Sequence, residues 1–176
     1  MTDLDKTYGG ALYQLALEEN LEDELLGQLG AVCALMRETP EYLRLIGSRA
    51  LPKAERLSLL DEAFSGKVHP YLLNFMKILC ERDAFGSIEG CRYAFVTDYN
   101  ERHGVIPAKV VSATPLTAEQ EKRLTAALEK KTGKTIVLTS RVDPSLVGGM
   151  RVEMDGKRYD NTVASKMEHL RRALLS

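Results

Sequence analysis

The spacing of apolar residues changes period at Gly104, and this change limits the possible folds more than any other feature of the sequence. Up to that point apolar side chains recur every three or four residues, the period of helices packed on one face. Leu4, Tyr8, Ala11, Leu12 and Leu15 mark a first helix. Gly9 and Gly10 fall inside it, each costing about 1 kcal/mol relative to Ala. Leu21, Leu25, Leu29, Val32 and Met36 mark a second, ended by Pro40. Tyr42, Leu43, Leu45 and Ile46 mark a short third that stops near Gly47. Pro52 suits the first turn of a fourth, with Leu57, Leu60 and Phe64 on its face and Gly66 at its close. The fifth begins near His69-Pro70 and carries Leu72, Leu73, Phe75, Met76, Ile78 and Leu79. It is apolar almost all round, so burying one face leaves apolar surface that either a neighbouring helix or a partner must cover. Ile88, Cys91, Phe95 and Tyr99 mark the sixth, capped by Gly104.

Beyond Gly104 the run from Val105 to Ala113 reads as a strand ended by Thr114-Pro115. Thr117 and Gln120 have capping-box spacing for a helix bearing Leu124, Ala127 and Leu128, and Gly133 stops it. A strand with Ile136 and Leu138 follows, and later a strand in which Met150, Val152 and Met154 alternate with charged residues. Asp155-Gly156 is a two-residue hairpin signal. Val163, Met167, Leu170 and Leu174 predict a last helix. The fold class expected is mainly α: an N-terminal six-helix bundle over residues 1–104, then a small α+β domain over residues 105–176.

Between the two later strands lies Asp143-Pro144-Ser145-Leu146-Val147-Gly148-Gly149. Pro144 fixes φ after Asp143, and the paired glycines reach backbone conformations closed to other residues. A phosphate loop would open a helix and end in Lys-Ser or Lys-Thr. These glycines open a strand, so the stretch reads as a turn that aims it.

Composition narrows the function. Hydrophobic residues at 44% and charged residues at 28% describe an ordinary globular chain. No apolar run approaches the roughly 18 residues of a membrane span, and the acidic start resembles neither a signal nor a transit peptide. The net charge of −1 hides an asymmetry. Residues 1–104 sum to −6 and residues 105–176 to +5, as for two domains facing different partners or for solvated faces that simply differ in charge. Cys33, Cys80 and Cys91 lie in helical patterns and read as buried reduced thiols. With His69, His103 and His169 they complete no zinc template. Ser145 lacks nucleophile-elbow glycines, and the acidic cluster from Glu18 to Glu24 reads as a solvated helix junction. No catalytic residue, cofactor or metal site is expected. RNA binding is disfavoured by the acidic pI near 6.3 and the few aromatic residues.

The motifs also carry a resemblance. Asp143-Pro144-Ser145-Leu146-x-Gly148-Gly149, followed by Asp160-Asn161-Thr162-Val163, resembles the C-terminal signature of the delta subunit family of rotary ATP synthases. The family pattern has Ser and Ile where Thr162 and Val163 stand. Tyr8 to Ala16 resembles the family's first helix, with Gly9 in place of a usual Ala. Asn74-Phe75-Met76-x-Ile78-Leu79 and Ala108 to Leu116 also resemble it, so the likeness runs through the whole chain in order. The resemblance implies a non-catalytic stator subunit without cofactor, peripheral on the cytoplasmic face of a bacterial membrane. It implies that the helical domain binds N-terminal segments of alpha subunits and the second domain binds peripheral-stalk b subunits. It also implies a groove flanked by the first and fifth helices, for which the candidates are Tyr8, Ala11, Leu12, Leu15, Leu72, Phe75, Met76 and Leu79. Asp143, Pro144, Leu146, Gly148 and Gly149 are the candidate structural motif.

Overall fold

The computed structural model describes residues 2–48 and 50–162. The chain divides into two compact units, one ending at Tyr99 and one beginning at Asn100. It is mainly helical with one small mixed sheet. The expected last helix, from Val163 on, lies outside the described residues.

The first unit is built from α1 (Asp3–Glu18), α2 (Glu22–Glu38), α3 (Pro40–Gly47), α4 (Lys53–Phe64), α5 (Pro70–Glu81), a 3-10 turn at Phe85–Ser87, and α6 (Ile88–Arg102), whose last three residues fall past the division. Local chemistry sets the ends of these helices. Thr2 accepts a bond from the Asp5 amide while the Asp5 carboxylate accepts one from the Thr2 amide, a reciprocal cap on α1. Asn20 (φ 57°) and Asp83 (φ 54°) take left-handed conformations after α1 and α5. There the Leu21 amide returns to the Ala16 carbonyl and the Ala84 amide to the Leu79 carbonyl.

The apolar faces meet in one core around Leu25, Leu29, Ile46, Leu60, Phe85 and Phe95, all fully buried. Tyr13 stands edge-on to Phe95 at 5.3 Å. Arg56, 2% exposed, donates to the Ile46 carbonyl and to Asp83 at 2.9 Å, tying the end of α3 to the end of α5. Gly9 is buried where α1 meets α6: a Cβ there would lie 2.3 Å from the Cys91 carbonyl oxygen. The residue that weakens α1 locally is what permits this approach, and α1 runs unbroken through it.

Of the two covers expected for α5, neighbouring elements supply nearly all, which corrects the expectation of a surplus at Leu72, Phe75, Met76 and Leu79. Leu72, Phe75, Met76, Leu79 and Cys80 of α5 are all buried, and Leu73 packs against the same core. Helices α2 and α4 and the turn bearing Phe85 pack against α5. Of the large apolar side chains of α5, Ile78 alone is exposed. The surplus of apolar surface is absorbed within the unit.

The second unit is β1 (Val105–Ser112), α7 (Ala118–Thr132), β2 (Thr135–Val142), β3 (Met150–Met154) and β4 (Lys157–Asp160). Strand order is β2-β1-β3-β4, with β1 parallel to β2 and the other pairs antiparallel. The expected devices are present. Thr117 and Gln120 cap α7 reciprocally, and Gly133 ends it at φ 68°. Asp155 and Gly156, both at positive φ, turn β3 into β4. Alternation gives the sheet two faces. Ile106, Ala108 and Val110 of β1 point to the face where Leu128 of α7 packs with Ile136 and Met154. Val105, Pro107, Lys109 and Val111 belong to the opposite face.

Candidate functional site

Two short turns account for most of the signature residues. At the first, the Asp143 carboxylate accepts from both the amide (3.0 Å) and the hydroxyl (2.6 Å) of Ser145. At the second, Asp160 does the same with the amide (3.0 Å) and hydroxyl (2.7 Å) of Thr162. Each is an aspartate folding back on the residue two positions on. Sequence reading missed that the two Asp-x-Ser/Thr triplets are one device; their identical spacing was the available signal. Pro144 presets the first turn, which the Leu146 amide closes on the Asp143 carbonyl at 3.1 Å. The Asp143 amide is anchored to the Ser112 carbonyl at the end of β1.

These hydrogen bonds favour the ionised carboxylates. Thr162 first, and then Arg151 at 3.2 Å, pull Asp160 down to a pKa of about 2. Ser145 lowers Asp143 in the same way.

The two turns touch at Gly149. Its φ is +86°, and a Cβ there would lie 2.4 Å from the Asn161 carbonyl oxygen and 2.8 Å from the Thr162 Cα. Of the glycine pair, Gly149 alone has the left-handed backbone; Gly148 lies half-buried in the same bend. Leu146 is half-buried and Val147 projects 85% exposed. The motif positions the start of β3.

The eight groove candidates separate by exposure. Leu12, Leu72, Phe75, Met76 and Leu79 lie together in the core of the first unit. Tyr8 packs against that core while half-exposed, Leu15 is half-buried, and Ala11 is exposed. With half-buried Leu4 these three form a stripe along α1 at intervals of four, three and four residues.

Nothing in these places is arranged for catalysis. Burial pushes the Cys33 thiol up to about 12 and the Cys91 thiol to about 11, so both stay protonated and unreactive. A shallow depression of about 380 Å³ lies between α7 and β2. Its two carboxylates are already engaged, Glu121 by the Ser140 hydroxyl and Glu129 by the Ile136 amide.

Comparison with known proteins agrees with this arrangement. The profile of the ATP synthase delta (OSCP) subunit family matches residues 4–174. ATP synthase subunit delta of a Geobacillus species is 33% identical over 171 residues, covering 97% of this chain and 96% of that protein. The Clostridium beijerinckii subunit delta is 32% identical, covering 98% and 96%. That of Rhodospirillum rubrum is 30% identical, covering 99% and 94%. A chain in the Toxoplasma gondii mitochondrial ATP synthase hexamer shares the fold, with a TM-score of 0.76 at 23% identity and 99% coverage of each chain. The chain belongs to the ATP synthase delta (OSCP) subunit family, and it is a non-catalytic component of that complex.

Proposed function

We propose that this chain links the top of the catalytic head to the peripheral stalk, so that the head resists the torque of the rotor. In this reading residues 1–104 form a six-helix bundle that binds N-terminal segments of the alpha subunits. Residues 105–176 bind the b subunits. The complex holds the chain at the cytoplasmic face of the bacterial membrane; among the described residues no helix is long and apolar enough to cross a membrane. The observation that carries the reading is the family match over residues 4–174, which spans both units. The opposite charges of the two parts of the sequence support separate partners.

In this reading the alpha-subunit surface is the stripe on α1, which exposure supports. Tyr8, Ala11 and Leu15 are accessible, while Leu12, Leu72, Phe75, Met76 and Leu79 hold the helices beneath. An amphipathic helix docks through a few apolar anchors three or four residues apart, which is the spacing of this stripe. Titrating an alpha N-terminal peptide tests it. Ala11→Gln and Leu15→Gln should each weaken binding by about 1–3 kcal/mol with an unchanged melting transition. Wild-type affinity in both variants would remove the stripe from the interface.

A further inference from the structure

Among the described residues no element covers the sheet face opposite α7: Val137 is 53% exposed, and Pro107, Lys109 and Arg141 are exposed around it. Register puts Pro107 beside Val137, and Val111 beside Arg141. The face is also charged to one side. Its two carboxylates are already paired, Asp160 with Arg151 at 3.2 Å and Glu153 with Arg158 at 3.9 Å. Lys109, opposite Glu153 in the register, and Arg141, which also acts on the Asp143 carboxylate, add two further cations. Four strands span about 14 Å between the outer two, enough to seat one helix of about 10 Å diameter.

We propose that this face receives an acidic amphipathic helix of the b subunits. Its apolar edge lies on Pro107, Val111 and Val137, and its carboxylates face Lys109 and Arg141. The charge argues for this occupant: the face carries Lys109, Arg141, Arg151 and Arg158 against Glu153 and Asp160, a positive surplus that an acidic helix neutralises and a basic one would add to. The inference rests on the stalk-binding reading of the second unit and adds the surface and the chemistry.

The test titrates the full-length protein with a soluble b-subunit fragment of the same complex, at low and high salt. The Lys109→Glu, Arg141→Glu double variant should raise Kd about tenfold or more at low salt, and high salt should narrow the gap. The milder Lys109→Ala, Arg141→Ala pair should raise it about threefold, with an unchanged melting transition. Lys122→Glu with Arg123→Glu, on α7, should change Kd by about twofold or less. Wild-type affinity in both face variants, or equal weakening by the α7 pair, overturns the proposed surface while leaving stalk binding intact. Failure of the wild-type protein to bind the fragment removes the stalk reading, and this inference with it.

Discussion

The two units hold themselves together by different means. In the first, twenty buried residues from all six helices and the 3-10 turn form one core, so its specification is carried by side-chain volume. In the second, the described part of the core cluster is Ile106, Ala108, Ile136 and Met154, and α7 has no fully buried residue. Among its described residues backbone geometry is the prominent feature: a four-stranded ladder, a hairpin and two aspartate turns that meet at Gly149. The contrast separates two kinds of vulnerability. The helical unit should fail when volume or polarity changes inside it. The sheet unit should fail when a turn is denied its conformation.

The largest effect expected is in the helical core. Met76 is fully buried in the apolar cluster, so Met76→Gln keeps most of the volume but places an amide in an apolar core. The lost apolar transfer and the unpaired amide together should cost about 4 kcal/mol. Urea unfolding followed by helical circular dichroism should show the early transition, with strand amides of the second unit still protected from exchange. An unchanged midpoint would mean that α5 is not the centre of this core. The same variant would also bind alpha peptide poorly, but through unfolding, unlike Ala11→Gln.

Gly149→Val is the matching lesion in the other unit. A β-branched residue at φ +86° is strained, and its Cβ would strike the Asn161 carbonyl, which is backbone and cannot swing aside. A loss of about 3 kcal/mol is expected, confined to the second unit. Exchange rates of the Val152 and Tyr159 amides would report it. If they stay protected, the close approach of the two turns does not matter to stability.

What could be read from the sequence follows the range of the interaction involved. Helix ends and the hairpin depend on a few neighbouring residues, so Gly66, Gly104, Gly133 and Asp155-Gly156 announced the left-handed turns that the structure contains. The strand alternation of Met150, Val152 and Met154 was equally local. The apolar surplus of α5 is covered within the unit except at Ile78, and periodicity could not decide this because it counts apolar residues without saying which distant elements cover them. Phe85, on a 3-10 turn the period did not reveal, belongs to that cover. Gly9 shows the same limit. Its local cost is legible, whereas its contact with Cys91, 82 positions away, is not. The site followed suit: all eight groove candidates were apolar at helical spacing, and only burial divides the five in the core from the three at the surface.

The smallest effect concerns the aspartate turns and separates the units by acid sensitivity. Asp160 drops from 3.8 to about 2 on folding, and Asp143 is lowered as well. A carboxyl with a depressed folded pKa contributes stability above its unfolded value. That contribution is therefore complete above about pH 4 and fades as pH falls toward 2, because the unfolded chain takes up the protons first. Asp160→Asn keeps an oxygen that can accept from Thr162 but removes the titration and the charge facing Arg151. The variant should have a lower urea midpoint than wild type at neutral pH, with the two curves converging as pH approaches 2. Followed at the Val152 and Tyr159 amides, the acid slope of the second unit should flatten. The slope of the first unit, where Thr2 holds the Asp5 carboxyl low, should not change. A variant whose second unit keeps the full wild-type slope would show that Asp160 is not the group whose protonation loosens the paired turns.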